Sequence, residues 1–321
     1  MPVLSVRDLV VEFPNRRGVA RAVDGVSFEI DPGEVLGLVG ESGAGKSLTG
    51  AAIVGLLPPP GRIAGGAILL DGERIDALPP HRMRAIRGRR IGMIFQDPLT
   101  ALNPLFTVGQ QLIETMRAHL PLSHRQARER AIAWLAEVGI AAPSMRVDAY
   151  PNAFSGGMRQ RVAIALALCA EPRLVIADEP TTALDVSIQA QIVALLRRLA
   201  RERGTAILLI THDMGVIAET ADRVAVMYAG RIVEIGSTRA VIDSPSHPYA
   251  DGLMASIPSL DRPVDRLRQI DGAMPRLDAI PAGCAFHPRC PSAFDRCRVE
   301  RPELRDVGPT RSACWLGQGH G

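Results

Sequence analysis

Eight consecutive residues, Gly40-Glu41-Ser42-Gly43-Ala44-Gly45-Lys46-Ser47, match the pattern G-x-x-x-x-G-K-[ST] without a gap. Their chemistry is phosphate binding. The glycines let the main chain wrap closely around a phosphate with no Cβ in the way. Exposed N–H groups ahead of a helix attract the anion. Lys46 has the reach for the β- and γ-phosphates of a nucleoside triphosphate, and the Ser47 hydroxyl is a ligand for Mg²⁺. The ordinary alternative is a glycine-rich strand-to-helix turn. The context argues against it: the apolar run 35–39 reads as a buried strand and 47–57 as a helix, the setting the motif requires.

Two further stretches bear charge or bind it. Leu174-Val175-Ile176-Ala177-Asp178-Glu179 is an apolar strand ending in two acids. Asp178, at the strand's C-terminal end, is placed to hold Mg²⁺ directly or through water, and Glu179 to orient or deprotonate an attacking water. Phe154-Ser155-Gly156-Gly157-Met158-Arg159-Gln160-Arg161 opens a helix. Its Ser155 cap and two glycines form a second anion-binding helix start. Two phosphate sites on one chain suggest two chains meeting with ATP between them. Taken alone, the acids could cap a surface strand and Ser155 a plain helix.

The elements that must position these residues alternate. The segments 4–13 and 21–30 read as strands joined by a turn at 14–18, and 31–34 as a turn. Pro58-Pro59-Pro60-Gly61 ends the helix after the phosphate loop. Strands follow at 66–70 and 91–95. From 108 to 138 the spacing turns helical, with Val108, Gln111, Leu112, Thr115 and Met116 on one face and Ala131, Leu135 and Val138 on a second helix. A helix spans 155–170, and strands return at 174–177, 206–210 and 224–227. Strands alternating with helices predict a mainly parallel α/β sheet. There is no internal repeat, and composition shifts to Pro, Arg, Asp and Cys after about residue 240.

Composition narrows the class. With 321 residues, 47% apolar, the chain can bury a large core in one or two domains. Net charge is +3, from 37 basic and 34 acidic residues that are interleaved, so no electrostatic case for nucleic acid arises. The arginine-rich stretch 81–90 reads as a solvated helix face. No signal-peptide pattern opens the chain, and no run approaches the ~18 apolar residues of a spanning helix. A cytosolic protein is expected, joined to a membrane only through partners. Four of the five cysteines, Cys284, Cys290, Cys297 and Cys314, fall near the C-terminus. Thiolates cluster so to hold a metal or an iron–sulfur centre. The C-x₂-C pairs of common zinc sites are missing, and iron–sulfur, zinc and free thiols stay open. Cys169 lies in an apolar helical run and reads as core.

Taken together, these motifs and their order resemble the ATP-binding subunits of ABC transporters. The resemblance implies a P-loop NTPase (RecA-like) core with an antiparallel β subdomain, an inserted helical subdomain at about 97–165, and a C-terminal extension. It implies a cassette at 1–240 and a four-cysteine extension at 241–321. Gln96 corresponds to the family's metal- and water-contacting glutamine, Asp185 in Thr182-Ala183-Leu184-Asp185 to the loop that crosses the dimer, and His212 to the switch histidine at the γ-phosphate. Phe13 is the implied adenine-stacking aromatic. Phe154 and Met158 depart from the commonest signature and resemble the oligopeptide/dipeptide importer subfamily. That match continues through Gln96-Asp97-Pro98-Leu99-Thr100-Ala101-Leu102-Asn103-Pro104 and His247-Pro248-Tyr249.

The expectations are therefore an ATPase using ATP and Mg²⁺, with Mg²⁺ held by Ser47, Gln96 and Asp178. Gly40 to Ser47, Ser155, Gly156 and Gly157 would bind nucleotide, and Cys284, Cys290, Cys297 and Cys314 would carry a 4Fe–4S cluster. Expected partners are two transmembrane permease subunits, a second related ATPase, and an extracytoplasmic solute-binding protein. The expected place is the cytoplasmic face of the membrane, peripheral. Di- or oligopeptides are the expected solute, with nickel and glutathione as alternatives. A soluble non-transport ABC ATPase and a P-loop kinase are the competing classes.

Overall fold

The strand Val35–Val39 is buried at every position, which is why it reads as an unbroken apolar run rather than an alternating one. The computed structural model describes residues 1–15, 18–182, 184–256 and 269–318. They divide into two units, one of residues 1–3, 30–34 and 77–209, the other of residues 4–29, 35–76 and 210–321.

In the second unit Val35–Val39 pairs in parallel with Arg223–Tyr228, from Leu36 opposite Arg223 to Val39 opposite Val226. Arg231–Ser237 follows antiparallel, and two short strands from the C-terminal segment, Thr310–Ser312 and Arg305–Val307, complete that side of the sheet. The extension thus adds strands to the nucleotide-binding sheet, which its Pro- and Arg-rich composition did not foretell. A separate antiparallel sheet runs in the order Gly18–Ile30, Leu4–Asn15, Arg62–Leu70, Glu73–Arg74. The helix after the phosphate loop, Lys46–Val54, stops short of residue 57. Gly55 takes a left-handed conformation and its N–H closes onto Ala51 and Ala52, so a glycine cap rather than the proline run ends it.

In the first unit Ile91–Ile94 pairs in parallel with Leu174–Asp178, and Ala206–Thr211 lies beyond. The helical segment holds Val108–His119 and His124–Glu137, each opened by a capping box, Thr107 with Gln110 and Ser123 with Gln126. The first helix buries Val108, Gly109, Leu112, Ile113 and Met116. Gln111 and Thr115 lie at the margin of that face and are half-buried. The Gln111 amide instead donates to the carbonyls of Asn103 and Phe106, tying down the preceding loop. The long helix Val186–Arg203, capped by Asp185, was not anticipated. Cys169 is buried, with its thiol pushed up to about 12 by burial, as expected of a core residue.

Candidate nucleotide-binding site

The second unit supplies the phosphate loop. Gly40 adopts φ +151°, and a Cβ there would stand 2.2 Å from the Met227 carbonyl oxygen. Gly45, at φ +104°, would stand 2.6 Å from the Ala22 carbonyl oxygen. The backbone therefore passes between neighbouring segments of the same chain where no side chain fits. Lys46 is buried, and its ammonium donates to the Gly40 and Glu41 carbonyls at 2.8 and 3.0 Å. A buried lysine needs such partners, and a triphosphate in the loop would meet a charge already aimed inward. Ser47 is exposed at the helix start. Glycine cradle, buried lysine and an exposed serine at the helix start fit a nucleoside triphosphate with its magnesium ion.

His212 is exposed in the same unit. It sits between Thr211, whose hydroxyl accepts from the Asp213 N–H at 3.0 Å, and Asp213, whose carboxylate caps the helix Met214–Thr220. The Phe13 ring lies against Gly61, where an added Cβ would come within 2.7 Å of it.

The first unit supplies the acids. Asp178 ends its strand, half-buried, and Glu179 follows at φ +46°, a left-handed conformation in which a non-glycine residue costs about 1–3 kcal/mol. The Glu179 carboxylate accepts from the Gln96 amide at 3.1 Å and the Thr182 hydroxyl at 2.8 Å. Gln96 lies two residues past the end of the strand Ile91–Ile94. Ser155 accepts from the Met158 N–H at 3.4 Å, capping Gly156–Leu168. Gly157 is required by packing, since a Cβ there would meet Ile188 at 2.8 Å, whereas Gly156 meets only Leu184 at 4.0 Å. Asp185 accepts from the Ile188 N–H and the Ser187 hydroxyl, which hold its carboxyl below the usual range. Ala183 lies outside the described residues.

Sequence reasoning missed one set of contacts to the loop. The Glu41 N–H donates to the Tyr249 hydroxyl at 2.8 Å, and the Glu41 carboxylate receives Arg289 on both oxygens, at 2.6 and 2.9 Å. Nothing local in either stretch signals a pairing across 248 positions.

Cys284, Cys290, Cys297 and Cys314 line one cavity, closed by Phe286 and Trp315. Burial pushes the Cys284 thiol up to about 11 and raises Cys290 and Cys314 as well. The donor set suits a soft metal. The space does not: its free volume is about 10 Å³, roughly one water. Among the described residues no group of three or more His, Cys, Asp or Glu side chains is arranged to hold a metal ion. The expected 4Fe–4S cluster is thus not supported by this geometry, because the cavity the four cysteines line leaves no room for a cubane.

Comparison with known proteins agrees with the cassette. Residues 23–182 match the ABC transporter family and residues 233–297 the oligopeptide/dipeptide transporter C-terminal region. The dipeptide transport ATP-binding protein DppD of Bacillus subtilis is 48% identical over 98% of this chain and 94% of its own length. DppD of Escherichia coli is 44% identical over 98% and 96%. Among solved structures, the dimeric post-hydrolysis ATP-binding cassette MJ0796 bound to ADP and Pi covers 74% of this chain and 99% of its own, at 27% identity and a TM-score of 0.66. With phosphate loop, acid-ended strand and capped signature helix all standing in this fold, the chain belongs to the ATP-binding proteins of the ABC transporter family.

Proposed function

We propose that the chain is the ATP-hydrolysing subunit of an importer of di- or oligopeptides. The observation that carries the ATPase part is the Glu179 carboxylate, held in a left-handed backbone and oriented by Gln96 and Thr182. Such a strained, braced acid is suited to orient or deprotonate an attacking water. In this proposal Gly40 to Lys46 cradle the phosphates, His212 contacts the γ-phosphate, and Phe13 stacks on adenine. Ser155 and Gly157 of one chain face the loop of a second ATPase, and Asp185 lies at that junction. Ser47, Gln96 and Asp178 would hold the magnesium ion, which would neutralise phosphate charge. The peptide part is supported by the names of the relatives.

Two permeases, a related second ATPase and an extracytoplasmic binding protein complete the assembly, which places the chain on the cytoplasmic face of the membrane. Exposed Phe95, Leu105 and Phe106, all near Gln96 in sequence, support docking to permeases. Among the described residues no helix is long and apolar enough to cross a membrane. The two family matches support a cassette at 1–240, with its helical part at about 97–165, and an extension at 241–321.

The test is nucleotide binding and turnover by the purified chain. Glu179→Gln is expected to bind ATP normally and to lose roughly 10²–10⁴ of its turnover, while Lys46→Ala loses binding. Normal turnover by Glu179→Gln would sink the base assignment. Uptake of labelled dipeptide, nickel and glutathione by the complete transporter then decides the solute.

A further inference from the structure

Arg289 is almost fully buried, with 6% of its side chain exposed, and every N–H of its guanidinium has an acceptor within reach. Nε donates to the Asp271 carbonyl at 2.8 Å. One terminal nitrogen donates to Glu41 at 2.6 Å and to the Tyr228 hydroxyl at 3.4 Å. The other donates to Glu41 at 2.9 Å and to the Ile270 and Gly272 carbonyls at 3.4 Å. The guanidinium also lies over the Tyr228 and Phe286 rings, 5.8 and 5.9 Å from their centroids. A paired fork of this kind fixes both position and orientation of the carboxylate it grips. That carboxylate belongs to the second residue of the phosphate loop, and the main-chain N–H of the same residue is taken by Tyr249. The loop's first residue, Gly40, is wedged against the Met227 carbonyl, next to Tyr228.

We propose that Arg289 is a positioning residue for ATP: by gripping Glu41 it holds the entry of the phosphate loop in its binding shape and neutralises a carboxylate that would otherwise repel the triphosphate. Two consequences follow from the geometry. Among the described residues, Arg289 reaches the loop through Glu41, whose carboxylate takes all of its hydrogen bonds to the loop. It also immediately precedes Cys290, so the loop's shape is tied to the packing of the four-thiol cavity.

The inference rests on the nucleotide-binding proposal above, and the experiment separates the two. ATP affinity is measured on the purified full-length chain with a fluorescent ATP analogue, alongside KM and kcat for hydrolysis. Wild type against Lys46→Ala comes first: if wild type itself fails to bind, the nucleotide proposal falls. Arg289→Ala is expected to raise Kd and KM about tenfold, a modest value for breaking a close charge pair, with kcat at saturation within about twofold. In a Glu41→Ala background the same substitution is expected to change Kd less than about twofold, since the residue it acts through is gone. Arg289→Lys keeps the charge but loses the fork, and is expected to raise Kd about threefold.

A Kd for Arg289→Ala within twofold of wild type overturns the inference. So does a full tenfold loss that persists in the Glu41→Ala background, which would mark a general structural role, as would a fall in kcat with KM unchanged. If Arg289→Ala fails to fold, Arg289→Lys carries the test, and an unchanged Kd in that variant overturns the inference.

Discussion

Acid should weaken this protein through His247. The imidazole is 2% exposed, and its Nδ1 accepts the Tyr249 N–H at 3.0 Å, capping the helix Pro248–Ala255. An accepting Nδ1 requires the neutral ring, and burial pushes the folded pKa down to about 3. In the unfolded chain the value returns to about 6.5. Between those values the unfolded state binds the extra proton, so stability is complete above about pH 7 and is lost as pH falls below 6.5. By linkage, lowering the pH from 7.5 to 5 costs about 2 kcal/mol through this residue alone. Glu234, whose carboxyl is raised by burial and accepts the His247 N–H at 2.8 Å, acts with the opposite sign. It is present in both proteins of the comparison and cancels.

The perturbation is His247→Asn, because an Asn Oδ1 can accept the N–H two residues on, as the ring does, without titrating near neutrality. The assay is thermal unfolding of both proteins from pH 7.5 to 5. At pH 7.5 wild type is expected to be the more stable, through the packing of its ring 5.8 Å from Phe286. That advantage should shrink by about 2 kcal/mol at pH 5, a relative shift of about 3 °C for a chain of this length. Parallel pH profiles for the two proteins would refute the reasoning, and would mean that His247 is either charged in the fold or solvated.

Two further outcomes are expected. Gly40→Ala places a Cβ 2.2 Å from a backbone oxygen at a φ of +151°, which adds about 1–3 kcal/mol of strain to about 1–3 for overpacking. Its melting temperature should fall by several degrees and its ATP affinity should drop, and an unchanged melt would contradict the cradle described for the loop. Anaerobic purification with iron, sulfide and zinc analysis is expected to give a metal-free chain that keeps its ATPase activity, since the four-thiol cavity has only about 10 Å³ of free volume, whereas about four irons per chain with a broad absorption band from cysteine-held iron and sulfide would contradict that packing.

What was legible in the sequence had contiguity on its side. The phosphate loop, the acid-ended strand and the Ser155 cap are each one unbroken stretch whose chemistry depends on neighbours along the chain. The two parallel strands Val35–Val39 and Leu174–Asp178, buried at nearly every position, announce themselves by continuous apolar composition. The capping boxes at Thr107 and Ser123 were readable in principle from Ser or Thr followed three residues on by Gln. The periodicity grouped Gln111 and Thr115 with Val108, Leu112 and Met116, but the buried stripe is centred nearer Leu112 and Met116, which leaves Gln111 half-buried at its margin to serve a loop. The strand at Ile91 was drawn one residue too long because Phe95 is apolar, yet it is 42% exposed.

By itself, then, the sequence determined that this chain carries a phosphate-binding loop, a strand ending in two acids and a capped glycine-rich helix, since local backbone geometry and side-chain type suffice for all three. Only the tertiary structure decided which partners those groups have. It put Glu179 in a left-handed conformation between Gln96 and Thr182. It made Gly157 obligatory by laying Ile188 against it. It folded Arg305–Val307 and Thr310–Ser312 onto the edge at Arg231–Ser237, and brought Arg289 to Glu41. The physical reason is common to all four. Hydrogen bonds and packing contacts act only over about 3–4 Å, and which of the many possible partners comes that close is set by how the elements pack, not by how far apart they stand in the chain.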